Sequence, residues 1–365
     1  MATIKKQKKT VKKRIKREVI LGAFAFILIC YILLNVPNLL SSNKLAKLGY
    51  DKEAIVAIEK QGLTKEILDN QWYSQQLNND IKVAGFRSEL LELYLIRENV
   101  NAEDILLYDK LSKHYTAEQI LALFSKCQFY EMTPLLVFDP VEDINSYISD
   151  VEAHHTTNSQ EHFVLSNTYI TNYKNTELTL NQGTMSMLVN KRYHLSPDYV
   201  PTNLVDMSVR YAAKGIKMEA EAYEQFKLMC DAIDLESMKI YASSTYRSYE
   251  YQDNLYTSYL KKDGEQKADT YAARPGHSEH QTGLTADLAT TNSGMTKFGA
   301  TPEYTWMLQN AHRYGWILRY PEGKQSITGY EAEPWHWRYV GIDIATQCYN
   351  SKLTYDEFYM LYLMP

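Results

Sequence analysis

Ser278-Glu279-His280-Gln281-Thr282-Gly283-Leu284-Thr285-Ala286-Asp287 sets a histidine and an aspartate seven positions apart around a glycine. This is not the spacing of a helical H-E-x-x-H site, where residues i and i+4 share a face. The glycine between the two points to a strand or loop that bends, so that imidazole and carboxylate converge. A second stretch, Glu333-Pro334-Trp335-His336, adds another histidine and a glutamate. Pro334 keeps Glu333 and His336 from sharing a regular helix, so a strand end or tight turn is expected there.

A catalytic zinc takes three protein ligands from His and Asp/Glu and leaves a fourth position for water. His280, Asp287 and His336 supply such a set for one Zn2+ ion, although non-haem iron can use a similar triad. Glu333 is the candidate general base, taking a proton from the attacking water and delivering it to the leaving amine. His277 and Glu279 flank His280, and strand-like alternation turns them toward the rim.

The surrounding pattern is α+β. Met187-Leu188-Val189 reads as a strand, Leu195 to Pro201 as a Pro-punctuated loop, and Met218 to Ile233 as an amphipathic helix. Ile240 to Ser243 reads as a second strand and Glu250 to Leu260 as a helix with stacked tyrosines. These elements predict a small mixed or antiparallel sheet flanked by helices over residues 185–365. His312 falls in a helix-like stretch, and Cys230 on the apolar side of a helix reads as core.

At 365 residues, 45% hydrophobic and 23% charged, the chain is globular and long enough for two domains. Its net charge of -5 hides an asymmetry. Nine Lys or Arg lie between Lys5 and Arg17, leaving 30 basic against 44 acidic residues from Glu18 onward, a balance of -14. An acidic folded part argues against nucleic-acid binding. After the basic arm of residues 1–18, residues 19–40 are uncharged, roughly 33 Å as a helix against a hydrocarbon core of about 30 Å. With no Lys or Arg until Lys44, they predict an uncleaved transmembrane helix anchored in the lipid bilayer, N-terminus cytoplasmic and the remainder extracytoplasmic. Cys127, Cys230 and Cys348 imply no disulfide framework.

Residues 44–135 read as a small all-helical module. Lys47 to Ile58 is similar to Ser112 to Leu123, each placing a Tyr before Asp51 or Thr116. Thr116 with Gln119 makes a capping box, and Thr64 and Asn101 repeat the helix-start chemistry. With no catalytic cluster, the module reads as a spacer or a dock for a protein partner. Residues 136–184 read as a linking layer. Within it, 139–182 are polar without clear helical periodicity, Phe163-Val164-Leu165 and Tyr169-Ile170 are candidate short strands, and His154, His155 and His162 read as a solvated surface.

From about Met185 to the C-terminus the sequence resembles the VanY-like D-alanyl-D-alanine carboxypeptidases, zinc enzymes that trim peptidoglycan stem peptides in bacteria. The pattern S-x-H-x-x-G-x-A-x-D followed by E-x-W-H is met except at Thr285, and Tyr246-Arg247-Ser248 lies upstream. The resemblance implies that His280, Asp287 and His336 bind zinc and that Glu333 is the base. It also implies that Arg247, Gln252 and Ser278 contact the substrate's C-terminal residue. A guanidinium can clamp a free carboxylate through two charge-assisted hydrogen bonds, a fork that Lys lacks. The expected function is a membrane-anchored, D-Ala-releasing carboxypeptidase acting on stem peptides. L,D-carboxypeptidase, cross-bridge endopeptidase and catalytically silent wall-binding scaffold are the alternatives.

Overall fold

The computed structural model describes residues 40–83, 85–138, 140–154 and 173–365. The basic arm, the anchor up to Asn38 and Leu39, His155, His162 and the candidate strands at Phe163-Val164-Leu165 and Tyr169-Ile170 lie outside the described residues. Among the described residues no helix is long and apolar enough to cross a membrane. The chain divides into two compact units with the boundary between Val100 and Asn101, inside the segment 44–135.

The described part of the first unit is helical. Lys52–Gln61 is capped by Asp51, whose Oδ1 accepts the Ala54 N–H at 2.9 Å. Thr64–Asn70 begins at Thr64 itself, with Leu63 at the cap and no side-chain bond, so Thr64 does not play the expected capping role.

The second unit opens with Ala102–Leu111 and Ala117–Lys126, each started by a reciprocal capping box, Asn101 with Asp104 and Thr116 with Gln119. The similarity of the two segments extends to burial. Tyr50, Ile55 and Ile58 in the first unit and Tyr115, Ile120 and Leu123 in the second are all core residues. Ile144–His154 is a helix where no helical period was evident. Ile144, Tyr147, Ile148 and Val151 form its buried stripe, which intervening polar residues mask in the sequence.

The catalytic-type segment is built on a four-stranded sheet: β1 (Ile240–Ser244), β2 (Thr285–Thr290), β3 (Trp316–Leu318) and β4 (His336–Tyr339). The spatial order is β1-β2-β4-β3, and every pair is antiparallel. Mixed helix and sheet are thus present as expected, and the sheet takes the antiparallel form.

Alternation along β2 and β4 assigns the two faces. Ala286, Leu288, Trp337 and Tyr339 enter the apolar core with Phe226, Met229, Cys230 and Ile233 of the helix Ala220–Asp234. Burying each large side chain there contributes roughly 1.5–3 kcal/mol. Thr285, Asp287, His336 and Arg338 occupy the opposite face, where Thr285 pairs with Arg338 and Asp287 with His336. A register irregularity between Ala242 and Ser244 brings Ser244 opposite Asp287 at the end of β1. Met187-Leu188-Val189 is buried as expected for an apolar run but forms no strand; among the described residues no strand pairs with it.

The Gly283 turn connects the histidine motif to β2. Its φ is +70°, and an added Cβ would lie 2.9 Å from Leu204 Cδ2. Gly283→Ala is expected to destabilise the protein by about 1–3 kcal/mol, because the left-handed backbone strains any residue with a Cβ and the Leu204 side chain must shift to admit one. Urea unfolding of the variant against wild type measures this, and an unchanged midpoint would contradict the assigned turn.

Candidate metal centre

The β2–β4 register sets Asp287 and His336 directly across from one another, and the bent segment after Ser278 returns His280 to the same point. Residues Glu279–Thr282 form a single 3-10 turn, closed by Gly283. Two contacts with the chain after β1 hold it: His280 Nδ1 donates to the Thr245 carbonyl at 2.5 Å, and Arg247 N–H donates to the His280 carbonyl at 3.2 Å. With Nδ1 protonated, His280 presents Nε2 to the site.

His280, Asp287 and His336 each offer one ligand atom, and the three atoms lie within 4.8 Å of one another, all buried. His280 Nε2 stands 3.2 Å from Asp287 Oδ2, and His336 Nδ1 stands 3.3 Å from Asp287 Oδ1. Yet Asp287 Oδ1 is a buried oxygen without a hydrogen bond. Two imidazole nitrogens and a carboxylate oxygen gathered in this way, one of them unsatisfied, fit a borderline cation such as Zn2+. Thr285 leaves this geometry intact; its hydroxyl turns to the Glu279 carbonyl at 3.4 Å.

Arg247 is the nearest positive charge. Its Nη2 lies 2.8 Å from both His280 Nε2 and Asp287 Oδ2, Nε donates to Ser244 Oγ at 3.1 Å, and Nη1 donates to Gln252 Oε1 at 3.0 Å. Gln252 is fixed in turn by donating Nε2 to the Ala273 carbonyl at 2.7 Å. Arg247, Gln252, Ser278 and Glu333 line one cleft of about 340 Å³ with the three candidate ligands. Every site residue read from the sequence therefore lines a single cavity. Tyr259 also lines it, whereas Tyr256 turns inward and donates its hydroxyl to Asp269.

Glu333 Oε2 lies 3.4 Å from His336 Nδ1. Burial pushes its carboxyl up to about 7, the range in which a carboxylate both accepts and returns a proton near neutrality. Burial works against a charged His336, but the facing carboxylates of Asp287 and Glu279 raise that ring to about 9. His280 moves the other way, down to about 4, through burial and the adjacent Arg247.

Glu279 and His277 are not rim residues. A turn and bend at residues 275–277 and the 3-10 turn from Glu279 stand where strand-like alternation is expected. Glu279 is buried, with Oε1 accepting from Arg319 Nε at 2.8 Å and Arg338 Nη1 at 2.9 Å, and Oε2 facing His336 Nε2 at 3.4 Å. Burial opposes its ionisation, but the two guanidiniums hold its pKa well below the usual range. Nothing in the sequence marks Arg319 and Arg338 as its partners, because 40 and 59 positions separate them from it. His277 packs against Tyr173, its Nδ1 donating to the Asn190 carbonyl at 2.7 Å.

A family model described as VanY, D-alanyl-D-alanine carboxypeptidase, matches residues 215–342. YodJ of Bacillus subtilis (strain 168), which carries a provisional carboxypeptidase name, is 37% identical over 221 residues, 58% of this chain and 80% of YodJ. Among solved structures, the LdcB LD-carboxypeptidase is 38% identical over 47% of this chain and 84% of its own, with a TM-score of 0.45. A variant of the vancomycin resistance D,D-pentapeptidase VanY in complex with Zn(II) is 30% identical over 48% of this chain and 98% of its own, with a TM-score of 0.42.

Burial lowers the pKa of His277 from 6.5 to about 4, against the opposing pull of the Asn190 carbonyl. The unfolded chain therefore binds a proton near pH 6.5 that the folded chain refuses until about pH 4. Stability from this group is complete above pH 6.5 and is lost as pH falls to about 4, by roughly 3 kcal/mol. In urea unfolding of metal-stripped protein, His277→Gln should lose less stability than wild type between pH 7 and 4.5. Equal losses would remove His277 as the cause.

Proposed function

Because the chain belongs to the VanY D-alanyl-D-alanine carboxypeptidase family, we propose that it removes the C-terminal D-Ala from peptidoglycan stem peptides in a reaction that depends on one zinc ion. The observation that carries this reading is the convergence of His280, Asp287 and His336 in one cleft with Glu333, Arg247 and Gln252. His280 Nε2, Asp287 and His336 Nδ1 would hold the ion. A bound zinc supplies Lewis acidity, polarising the scissile carbonyl and making water a stronger acid.

The remaining work falls to this chain's own groups. Glu333 takes the proton of the attacking water on its carboxylate and returns it to the departing amine nitrogen, a transfer favoured by a pKa near the working pH. Arg247, oriented by Ser244 and Gln252, presents a guanidinium to the free carboxylate that distinguishes a chain end from an internal peptide. Ser278 lines the same wall. Such a terminal clamp favours an exopeptidase over a cross-bridge endopeptidase, and a complete ligand-plus-base set disfavours a silent scaffold.

Location follows from residues 1–40. The basic arm and the uncharged run support an anchor in a bacterial cell membrane, N-terminus cytoplasmic and cleft facing the wall. Among its described residues the helical segment holds no group of His, Cys, Asp and Glu placed to bind a metal, which suits a spacer or a protein-docking role.

The full-length protein in detergent should release D-Ala from a pentapeptide stem, lose the activity to a chelator and regain it with Zn2+. Release from a tetrapeptide alone would assign L,D- rather than D,D-specificity, and no release from either stem would overturn the proposal. Glu333→Gln should lower kcat by about 10²-fold or more while zinc stays bound. Arg247→Lys should chiefly raise KM for peptides with a free C-terminus, since a point charge cannot reproduce the fork. An unchanged KM would remove Arg247 from carboxylate recognition.

A further inference from the structure

Beneath the candidate metal centre lies a chain of buried charges that leaves the family-matched segment. Glu279 Oε2 faces His336 Nε2 at 3.4 Å, and Glu279 Oε1 accepts from Arg319 Nε at 2.8 Å. Arg319 gives its other two nitrogens to one carboxylate: Nη2 donates to Asp356 Oδ1 at 3.0 Å and Nη1 to Asp356 Oδ2. Asp356 Oδ1 also accepts from Asn190 Nδ2 at 2.8 Å. Arg319 and Asp356 are wholly buried, and Glu279 and Asn190 are each 1% exposed. The family match ends at residue 342 and starts at 215, so Asp356 and Asn190 both lie outside it.

We propose that Asp356, braced by Asn190, is a positioning residue for His336, acting through Arg319 and Glu279; this rests on the metal reading above. The guanidinium is a planar fork, and with Nη1 and Nη2 fixed on Asp356 it cannot turn its Nε away from Glu279. Glu279 is thereby held with its second oxygen against His336 Nε2. A carboxylate there keeps the proton on Nε2, leaves the Nδ1 lone pair for the metal and fixes the ring plane. Arg338 supports the same carboxylate through Nη1 at 2.9 Å, but its Nη2 is anchored to the Met185 and Met187 carbonyls, so it sets Glu279 from within the core. Asp356 sits in the capped helix Tyr355–Phe358, whose Glu357 accepts from Thr133 at 2.9 Å. Thr133, between the helices Phe129–Met132 and Pro134–Val137, thus ties down the helix that carries Asp356.

The test uses the full-length, zinc-loaded protein in detergent. Nitrogen-15 spectra of its histidines should show His336 protonated at Nε2 and liganded through Nδ1. Zinc affinity by chelator competition should fall about 10- to 100-fold in Asp356→Asn and in Glu279→Gln. The double variant should lose no more than the worse single one, because both cut one path. The His336 Nε2–H signal should move in each variant, a change that a general loss of packing does not require. A wild-type His336 liganded through Nε2 would overturn the proposal without any variant, which covers the case of an unfolded Asp356→Asn. Wild-type zinc affinity and an unmoved signal in folded Asp356→Asn would overturn it equally. Zinc binding with these signatures but no D-Ala release leaves the positioning role standing and defeats only the substrate assignment. Failure of the wild type to bind zinc defeats the metal reading itself.

Discussion

The antiparallel pairing of Thr285–Asp287 with His336–Arg338 is the constraint on which the site depends. Strand pairing has a side-chain period of two, so a shift of one residue would send Asp287 or His336 into the apolar core and bring Ala286 or Trp337 out. The register is guarded from both sides. Ala286, Leu288, Trp337 and Tyr339 are matched to the core, while Thr285 and Arg338 are matched to the buried polar layer. One set of strand hydrogen bonds thus defines both the core and the distance between two candidate ligands, and the His280 turn has only to complete the set.

That polar layer is electrostatically demanding. Two arginines and two carboxylates, Arg319, Arg338, Glu279 and Asp356, are removed from water beneath the site. Each such ion loses several kcal/mol of hydration, which is recovered only through close pairing and nearly complete hydrogen bonding. Apolar residues of equal volume could fill the same space more cheaply. The layer is therefore better understood as orientation than as stabilisation, since it aims a fixed carboxylate at one nitrogen of His336.

The cleft itself combines groups whose environments drive them apart. Burial raises Glu333, burial and Arg247 lower His280, and the attraction of two facing carboxylates raises His336 despite its burial. A carboxyl raised toward neutrality can take a proton while the lowered His280 stays neutral and free to coordinate, whereas His336 must give up its Nδ1 proton before it can do the same. The family of carboxypeptidases to which the chain belongs frames this chemistry, and the side chains of this chain account for it individually.

Sequence alone carried the donor types, their order and the α+β balance. His280, Asp287, Glu333 and His336 are marked by chemistry at short spacing, and Gly283 and Pro334 by the backbone they permit or forbid. Helices with strong caps, such as those begun by Asn101 and Thr116, were equally legible because capping is local. Thr64 misled because a good capping residue can also occupy the first helical turn. Ile144–His154 was hidden because four buried positions sit among polar ones. Glu279 departs from that placement because a 3-10 turn replaces the alternation of a strand, and its arginines arrive from just beyond β3 and from within β4 through long-range packing. What the sequence determined is thus whatever depends on neighbours within a turn or a strand. The tertiary structure decided which side of His336 faces Asp287 and the candidate metal position, and which distant charges stand behind it, because orientation is set by contacts between segments far apart along the chain.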